Sequence, residues 1–219
     1  MMVKARGPVW HQKQKKQGIV PPRLHGLDKE ATWGKSNADG WVYGHGTFSM
    51  VEHRHSMLGV FQWMPNSGSE AKRMEREAME YDSLIKNLCM DSKADDQKMY
   101  WNLKENHGIQ LITNPRKGMD KSPERKAMIK DMQTKKNFRI YRKRSVTVEP
   151  MQGLVADIFE LDRCWMRRNE SNRWLFAAMG VAVQIAQWHA YQKNKSTREI
   201  KSWVTGVCKL PDPSVSHVR

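Results

Sequence analysis

Residues 41–64 limit what this chain can fold into more than any other stretch. Trp41-Val42-Tyr43-Gly44-His45-Gly46-Thr47-Phe48-Ser49-Met50-Val51 is dense in aromatic and β-branched side chains, and His55 to Met64 repeats that texture after a polar connection at Glu52 to Arg54. Such residues fit a pleated, half-buried surface, so the two runs predict neighbouring strands. Pro65-Asn66-Ser67-Gly68-Ser69 then stops the sheet. Ser69 stands where an N-cap would be for a helix from Glu70 to about Asn87. Ala71, Met74, Ala78, Tyr81, Leu84, Ile85 and Leu88 recur there at helical spacing.

Leu88-Cys89-Met90 has the pattern of a short buried strand with Asp91 at its carboxyl end. A helix over Asp95 to Asn106, stopped by Gly108, and a strand over Ile109 to Thr113 follow. Beyond a basic segment the apolar positions of Val148 to Leu161 predict a helix with one buried face. Asn172 then caps a last long helix, Arg173 to about Lys193, whose apolar residues lie on nearly all sides. The expected class is α/β, a mixed sheet covered by helices. Residues 1–40, punctuated by Gly and Pro, are expected to form an irregular basic lead-in, residues 41–193 the folded domain, and residues 194–219 a polar tail.

Charge is unevenly placed. Residues 1–25 hold six Lys/Arg and no acid, and residues 116–144 hold twelve Lys/Arg against three acids, so these two segments account for the whole formal charge of +15. Positive charge concentrated in this way, in a chain otherwise balanced, is the footprint of a polyanion partner, most often nucleic acid. Trp10, flanked by basic residues, is a candidate for stacking on a base, while most of the nine Trp belong to the core.

Several classes are excluded. The three cysteines (Cys89, Cys164, Cys208) are far apart with no Cys-x-x-Cys pair, which argues against a disulfide framework and for a reducing cytoplasm. The basic amino terminus never reaches an apolar run of the kind a secretory signal needs. The longest apolar stretch, Trp174 to Val183, is ten residues and too short to span a bilayer. The sequence has no P-loop, no Gly-x-Gly-x-x-Gly, no Gly-x-Ser-x-Gly and no His-Glu-x-x-His.

Two acidic positions bear on chemistry. Asp91, followed by Asp95 and Asp96, lies where α/β sheets place ligand sites, and hard oxygen donors of this kind suit Mg²⁺ or Mn²⁺. The same acids equally suit a helix N-terminus, where the dipole favours negative charge. Glu149 enters the predicted helix directly behind Tyr141-Arg142-Lys143-Arg144. It is either an ordinary first-turn acid or a carboxylate beside a phosphate-binding cluster.

Taken together, Tyr141-x-x-Arg144, Glu149 and the Asp91-Ser92-Lys93-Ala94-Asp95-Asp96 block resemble the DDE transposases of bacterial insertion sequences. So do Gly40-Trp41-Val42-Tyr43-Gly44-His45-Gly46 and Asn172-Arg173-Trp174-Leu175-Phe176-Ala177-Ala178-Met179-Gly180; the resemblance covers roughly residues 3–193. It implies an RNase H-like mixed sheet with flanking helices and a carboxylate site holding Mg²⁺ or Mn²⁺ for DNA strand cleavage and transfer. Asp91 then resembles the second catalytic Asp and Glu149 the Glu, both as metal ligands. Tyr141 and Arg144 resemble the Tyr and Arg that contact DNA near the cleaved phosphate, and Arg142, Lys143, Arg116 and Lys117, in the basic segment 116–144, are the further expected DNA contacts. The implied partners are double-stranded DNA, as transposon ends and target, and a second copy of the chain, in the bacterial cytoplasm at the nucleoid.

The family's first Asp, on its first strand, would precede Met1, so the chain is expected to lack that strand. Asp28 and Asp39 are the only acids early enough to substitute, and Ala156 stands where the family carries a Lys after the Glu. Two expectations follow: a metal-dependent transposase, or a catalytically inactive DNA-binding remnant of one.

Overall fold

A computed structural model of the chain describes residues 1–5, 17, 28–36, 40–116, 122–161 and 163–206. The chain divides into two compact units, one formed by residues 1–68 with 151–219 and the other by residues 69–150. The α/β class holds. The strands, however, fall into two separate sheets rather than one mixed sheet, a partition that side-chain periodicity does not specify.

The first unit is built on β3 (Gly40–Glu52), the aromatic run of the sequence, paired antiparallel with β4 (Met57–Pro65). Two further strands, β1 (Met2–Lys4) and β2 (Thr32–Ser36), lie within the segment expected to be irregular. At three and five residues they are too short to display a period. Gly44 pairs with both Thr32 of β2 and Lys4 of β1, so those strands take opposite edges of β3. His45 and Gly46 pair with both β1 and β4, which sets β2 and β4 in tandem along one edge. Position 44 has no room for a side chain, because an added Cβ would lie 2.0 Å from the Val3 carbonyl oxygen.

The long helix Asn169–Gln192 covers β4, and Gly180 permits the approach: a Cβ there would sit 3.0 Å from the Phe61 Cβ. The buried amide of Gln187 joins helix to strand. Its Oε1 accepts from Leu58 N at 2.7 Å, and its Nε2 donates to the carbonyls of Ser56 and Thr197, each at 3.0 Å. A buried amide with both ends bonded holds register without the penalty of an orphaned polar group. Phe61, Phe176, Met179, Val183, Met151, Val155 and Ile158 fill the core. Asn172 does not cap this helix. The helix starts at Asn169 behind Arg168, whose φ is +70°, and the buried Asn172 side chain donates to the carbonyls of Met166 and Arg168. The expected polar tail also contains a short helix, Lys201–Gly206, beside the buried Ile200.

The second unit opens with α1 (Glu70–Glu80), whose N-cap is Ser69 as the sequence indicates. This helix ends earlier than its periodicity suggests, giving way to turns at Tyr81 to Leu84 before β5 (Asn87–Cys89). A short 3₁₀ turn (Ser92–Ala94), α2 (Gln97–His107) and β6 (Gln110–Ile112) follow, and β6 pairs parallel with β5. Asp96 caps the start of α2, and Gly108, at φ +65°, ends it in the left-handed region that glycine tolerates best. Leu88, Leu111, Ile112, Tyr100, Leu103 and Met128 are buried. Helix α3 (Pro123–Met132) leads into α4 (Lys135–Ile158), and the remaining helices are α5 (Asn169–Gln192) and α6 (Lys201–Gly206). The division between units falls within α4, at Pro150, which has no N–H to continue the helical ladder. Among the described residues no helix is long and apolar enough to cross a membrane.

Candidate nucleic-acid interface

The basic segment is largely helical. Thr134 opens α4, its Oγ1 accepting from Asn137 N at 3.2 Å, and the buried Asn137 amide donates to the Asp131 carbonyl at 2.8 Å. Thr147 is the other buried polar residue of this half, donating to the Lys143 carbonyl at 2.9 Å. With Asn137 and Thr147 holding the inner side, Lys135, Lys136, Arg139, Arg142 and Lys143 are all exposed. No acid occurs between Asp131 and Glu149, and among the described residues none of these five cations forms an ion pair. Phe138 stands among them, 58% exposed.

Such a face lowers the stability of its own helix. Lys135 and Lys136 sit in the first turn, where the helix dipole disfavours positive charge, each by about 0.3–1 kcal/mol. The i,i+4 pairs Lys135–Arg139 and Arg139–Lys143 repel one another by a few tenths of a kcal/mol more. From Lys135 to Lys143 the cations span about 12 Å of helix axis at ~1.5 Å per residue. A DNA duplex offers one phosphate charge per ~1.7 Å of its own axis. A polyanion laid along α4 therefore removes the repulsion that the free protein carries.

Tyr141 and Arg144 turn partly inward. The Arg144 guanidinium lies 5.7 Å from the Tyr141 ring centroid and 3.8 Å from Glu149 Oε1. Its charge also reaches Cys89, where burial pushes the thiol up to about 11 against the opposing pull of Arg144.

Of the two readings of these acids, Asp91 and Asp96 take the helix N-terminal one. Asp91 does follow β5, but its Oδ1 accepts from Lys93 N at 2.9 Å to cap the 3₁₀ turn, and its carbonyl accepts from the Thr113 hydroxyl at 2.6 Å. Asp95 is buried with both oxygens bonded by the Arg125 guanidinium, and Arg116 N donates to its Oδ2 at 2.6 Å. Asp96 accepts from Met99 N at 3.1 Å. Glu149 lies well inside α4 rather than at a helix entry, because the helix starts at Lys135.

Arg116, expected on DNA, folds back onto its own chain: Nε donates to the Ser92 carbonyl at 2.6 Å and Nη2 to the Lys93 carbonyl at 2.8 Å. It braces the loop that carries Asp91. Lys117, Asp39 and Trp10 lie outside the described residues.

Asp28, weighed as a substitute ligand, is buried in the first unit. His45 Nδ1 accepts from Trp63 Nε1 at 2.9 Å, which leaves Nε2 to donate to Asp28 Oδ2 at 2.8 Å. Glu30 N donates to Oδ1 at 3.2 Å and Arg168 N to Oδ2 at 3.1 Å. These bonds hold the positive-φ turn at Arg168 that starts α5. Neither Asp28 as the centre of this network nor Arg125 as the partner of Asp95 carries a local sequence signal, since the paired residues are 17 and 30 positions apart.

A two-metal site needs several carboxylates free to share ions about 3.5–4 Å apart. Asp91, Asp95 and Asp96 are engaged with backbone N–H groups or Arg125. Among the described residues no group of three or more His, Cys, Asp or Glu is arranged to hold a metal ion. Comparison with protein-family models, with curated protein sequences and with solved structures gives no match.

Proposed function

We propose that this chain binds double-stranded DNA through the exposed face of α4, as a transposase-like DNA-binding protein without a competent metal site of its own. One observation carries the reading: five exposed cations in the first half of α4, where no acid occurs between Asp131 and Glu149 and where, among the described residues, none of the five forms an ion pair. Contacts of that kind go to phosphates, so binding is expected to be largely independent of sequence and steeply dependent on salt. Such a protein would work in the bacterial cytoplasm, at the nucleoid.

The test is fluorescence anisotropy of a labelled duplex across a salt series, with Arg139→Ala, Arg142→Ala and Lys143→Ala combined. Each lost phosphate contact lowers the log–log slope by about 0.9, so the triple variant should lose roughly 2–3. An unchanged slope removes the assignment.

A second reading, DNA cleavage and strand transfer on an RNase H-like framework, draws on the parallel β5–α2–β6 unit with Asp91 at the end of β5. That is where α/β sheets place their ligand sites. With Asp95 and Asp96 engaged, the chain alone is expected not to nick transposon-end DNA with Mg²⁺ or Mn²⁺. Metal-dependent nicking abolished by Asp91→Ala would establish this second reading instead.

A further inference from the structure

The outer face of α5 is apolar. Trp174 is 74% exposed, Ile185 65%, Trp188 54% and Val181 53%, with Ala178 exposed between them. Positions 174, 178, 181, 185 and 188 recur at alternating steps of four and three, the spacing of a coiled-coil seam. The opposite side of the same helix, Phe176, Met179, Val183, Gln187 and Ala190, is buried in the first unit. The helix therefore carries two apolar stripes, and only one is covered. We propose that the exposed stripe of α5 is a self-association surface whose occupant is the same stripe of a second copy of this chain.

Three features select a second copy. The first is charge: from Trp174 to Gln192 there is no Asp, Glu, Lys or Arg. Two copies of a chain with formal charge +15 can meet here without repulsion at the contact, and a charged partner would find nothing to read. An amphipathic helix that lies on lipid needs a basic opposite face, and this one has an apolar, buried one.

The second feature is area. Taking roughly 150–250 Å² for a whole aromatic side chain, the exposed parts of Trp174, Val181, Ile185 and Trp188 come to about 500 Å² per chain. A symmetric pair that buried all of it would remove about 1,000 Å² from water, the lower bound for a biological interface and the size of a reversible, concentration-dependent one.

The third is preorganisation. Trp188 stacks on Tyr191 with ring centroids 6.0 Å apart and 24° between planes, and Tyr191 in turn meets the His55 ring edge-on at 5.3 Å. The bulkiest end of the stripe is already ordered, so little rotamer entropy remains to be lost on association.

The test is sedimentation equilibrium of the full chain over about 1–100 µM at high salt, because a dimer obeys mass action. Wild type should rise from 25.6 kDa toward twice that mass. Ile185→Glu should hold 25.6 kDa throughout, with an unchanged far-UV circular dichroism spectrum. Val181→Lys, at another exposed position, gives the same result independently should Ile185→Glu fail to fold. A wild type that stays monomeric over the whole range overturns the proposal, since its stripe is then covered within the chain or meets something else. A dimer that survives both substitutions overturns it equally.

Discussion

Helices α4 and α5 are both 24 residues long, and each buries one side in the fold. Their free sides differ completely. The first half of α4 exposes Lys135, Lys136, Arg139, Arg142 and Lys143 with no acid among them, while α5 exposes Trp174, Val181, Ile185 and Trp188 with no charge among them. The cationic face costs its helix stability through the dipole and like-charge repulsion, and the apolar face leaves hydrophobic area in water. Neither surface helps the monomer fold. What distinguishes them is the partner each would satisfy, a polyanion for α4 and a matching apolar stripe for α5.

The sharpest way to break this comparison is to ask which side of α5 the fold depends on. Phe176→Ala, on the buried side, should cost about 3–5 kcal/mol in urea unfolding, while Trp174→Ala at dilute protein should stay within about 0.5 kcal/mol. Similar losses from both would mean that the exposed stripe is part of the folding core.

An effect of the same order is expected beside α4. Arg125→Met leaves the Asp95 carboxylate buried without its partner, which should cost about 3–5 kcal/mol. An additional Asp95→Leu substitution should recover much of that loss, because an apolar pair replaces the ionic one. Recovery should stop short of complete, because Arg116 N loses the Oδ2 acceptor it has at 2.6 Å, and no recovery at all would show that this contact rather than the pair with Arg125 holds the site.

A smaller effect has the opposite sign. Lys135→Gln and Lys136→Gln remove charges that oppose the α4 dipole, so each should stabilise the DNA-free protein by about 0.3–1 kcal/mol while weakening DNA binding. Destabilisation would show that those lysines have partners within the fold.

The smallest effect concerns a paired cation that contrasts with the unpaired ones. Burial raises the Asp131 carboxyl, but hydrogen bonds from Lys104, at 2.7 Å, and Tyr100 outweigh it and hold the group below its ordinary value. Its contribution to stability is therefore present above the unfolded value of about 3.9 and lost as pH falls through the folded one. Lys104→Met should flatten the acid-unfolding curve below about pH 4 and leave the curve near neutrality parallel to wild type.

Much of this fold is legible in the sequence where a local pattern repeats. The β3 and β4 runs, the Ser69 cap, Asp91 at the end of β5 and Gly108 after α2 all declare themselves within a few residues. Residues 135–147 do not, because the buried side of α4 there holds Asn137 and Thr147 rather than an apolar stripe, and the helix reads as a charge run. Strands β1 and β2 are too short to show a period, and which strands share a sheet is a non-local matter. The candidate site divides in the same way. Exposed cations are local and visible, whereas the engagement of Asp95 by Arg125 and of Arg116 by the Ser92 and Lys93 carbonyls depends on residues some twenty to thirty positions apart.

The central claim is that clustered charge on α4, and not the total of +15, holds the nucleic acid. The direct measurement is the log–log salt slope of duplex binding for two charge-matched variants. One carries Lys135→Ala, Lys136→Ala, Arg139→Ala, Arg142→Ala and Lys143→Ala. The other removes the exposed and dispersed Lys29, Lys72, Arg76, Lys98 and Lys193 in the same way. The account predicts that the α4 variant loses about 4–5 from the slope and most of its affinity, while the dispersed variant loses less than about 1. Equal losses in the two variants would contradict it, because the binding would then follow net charge alone.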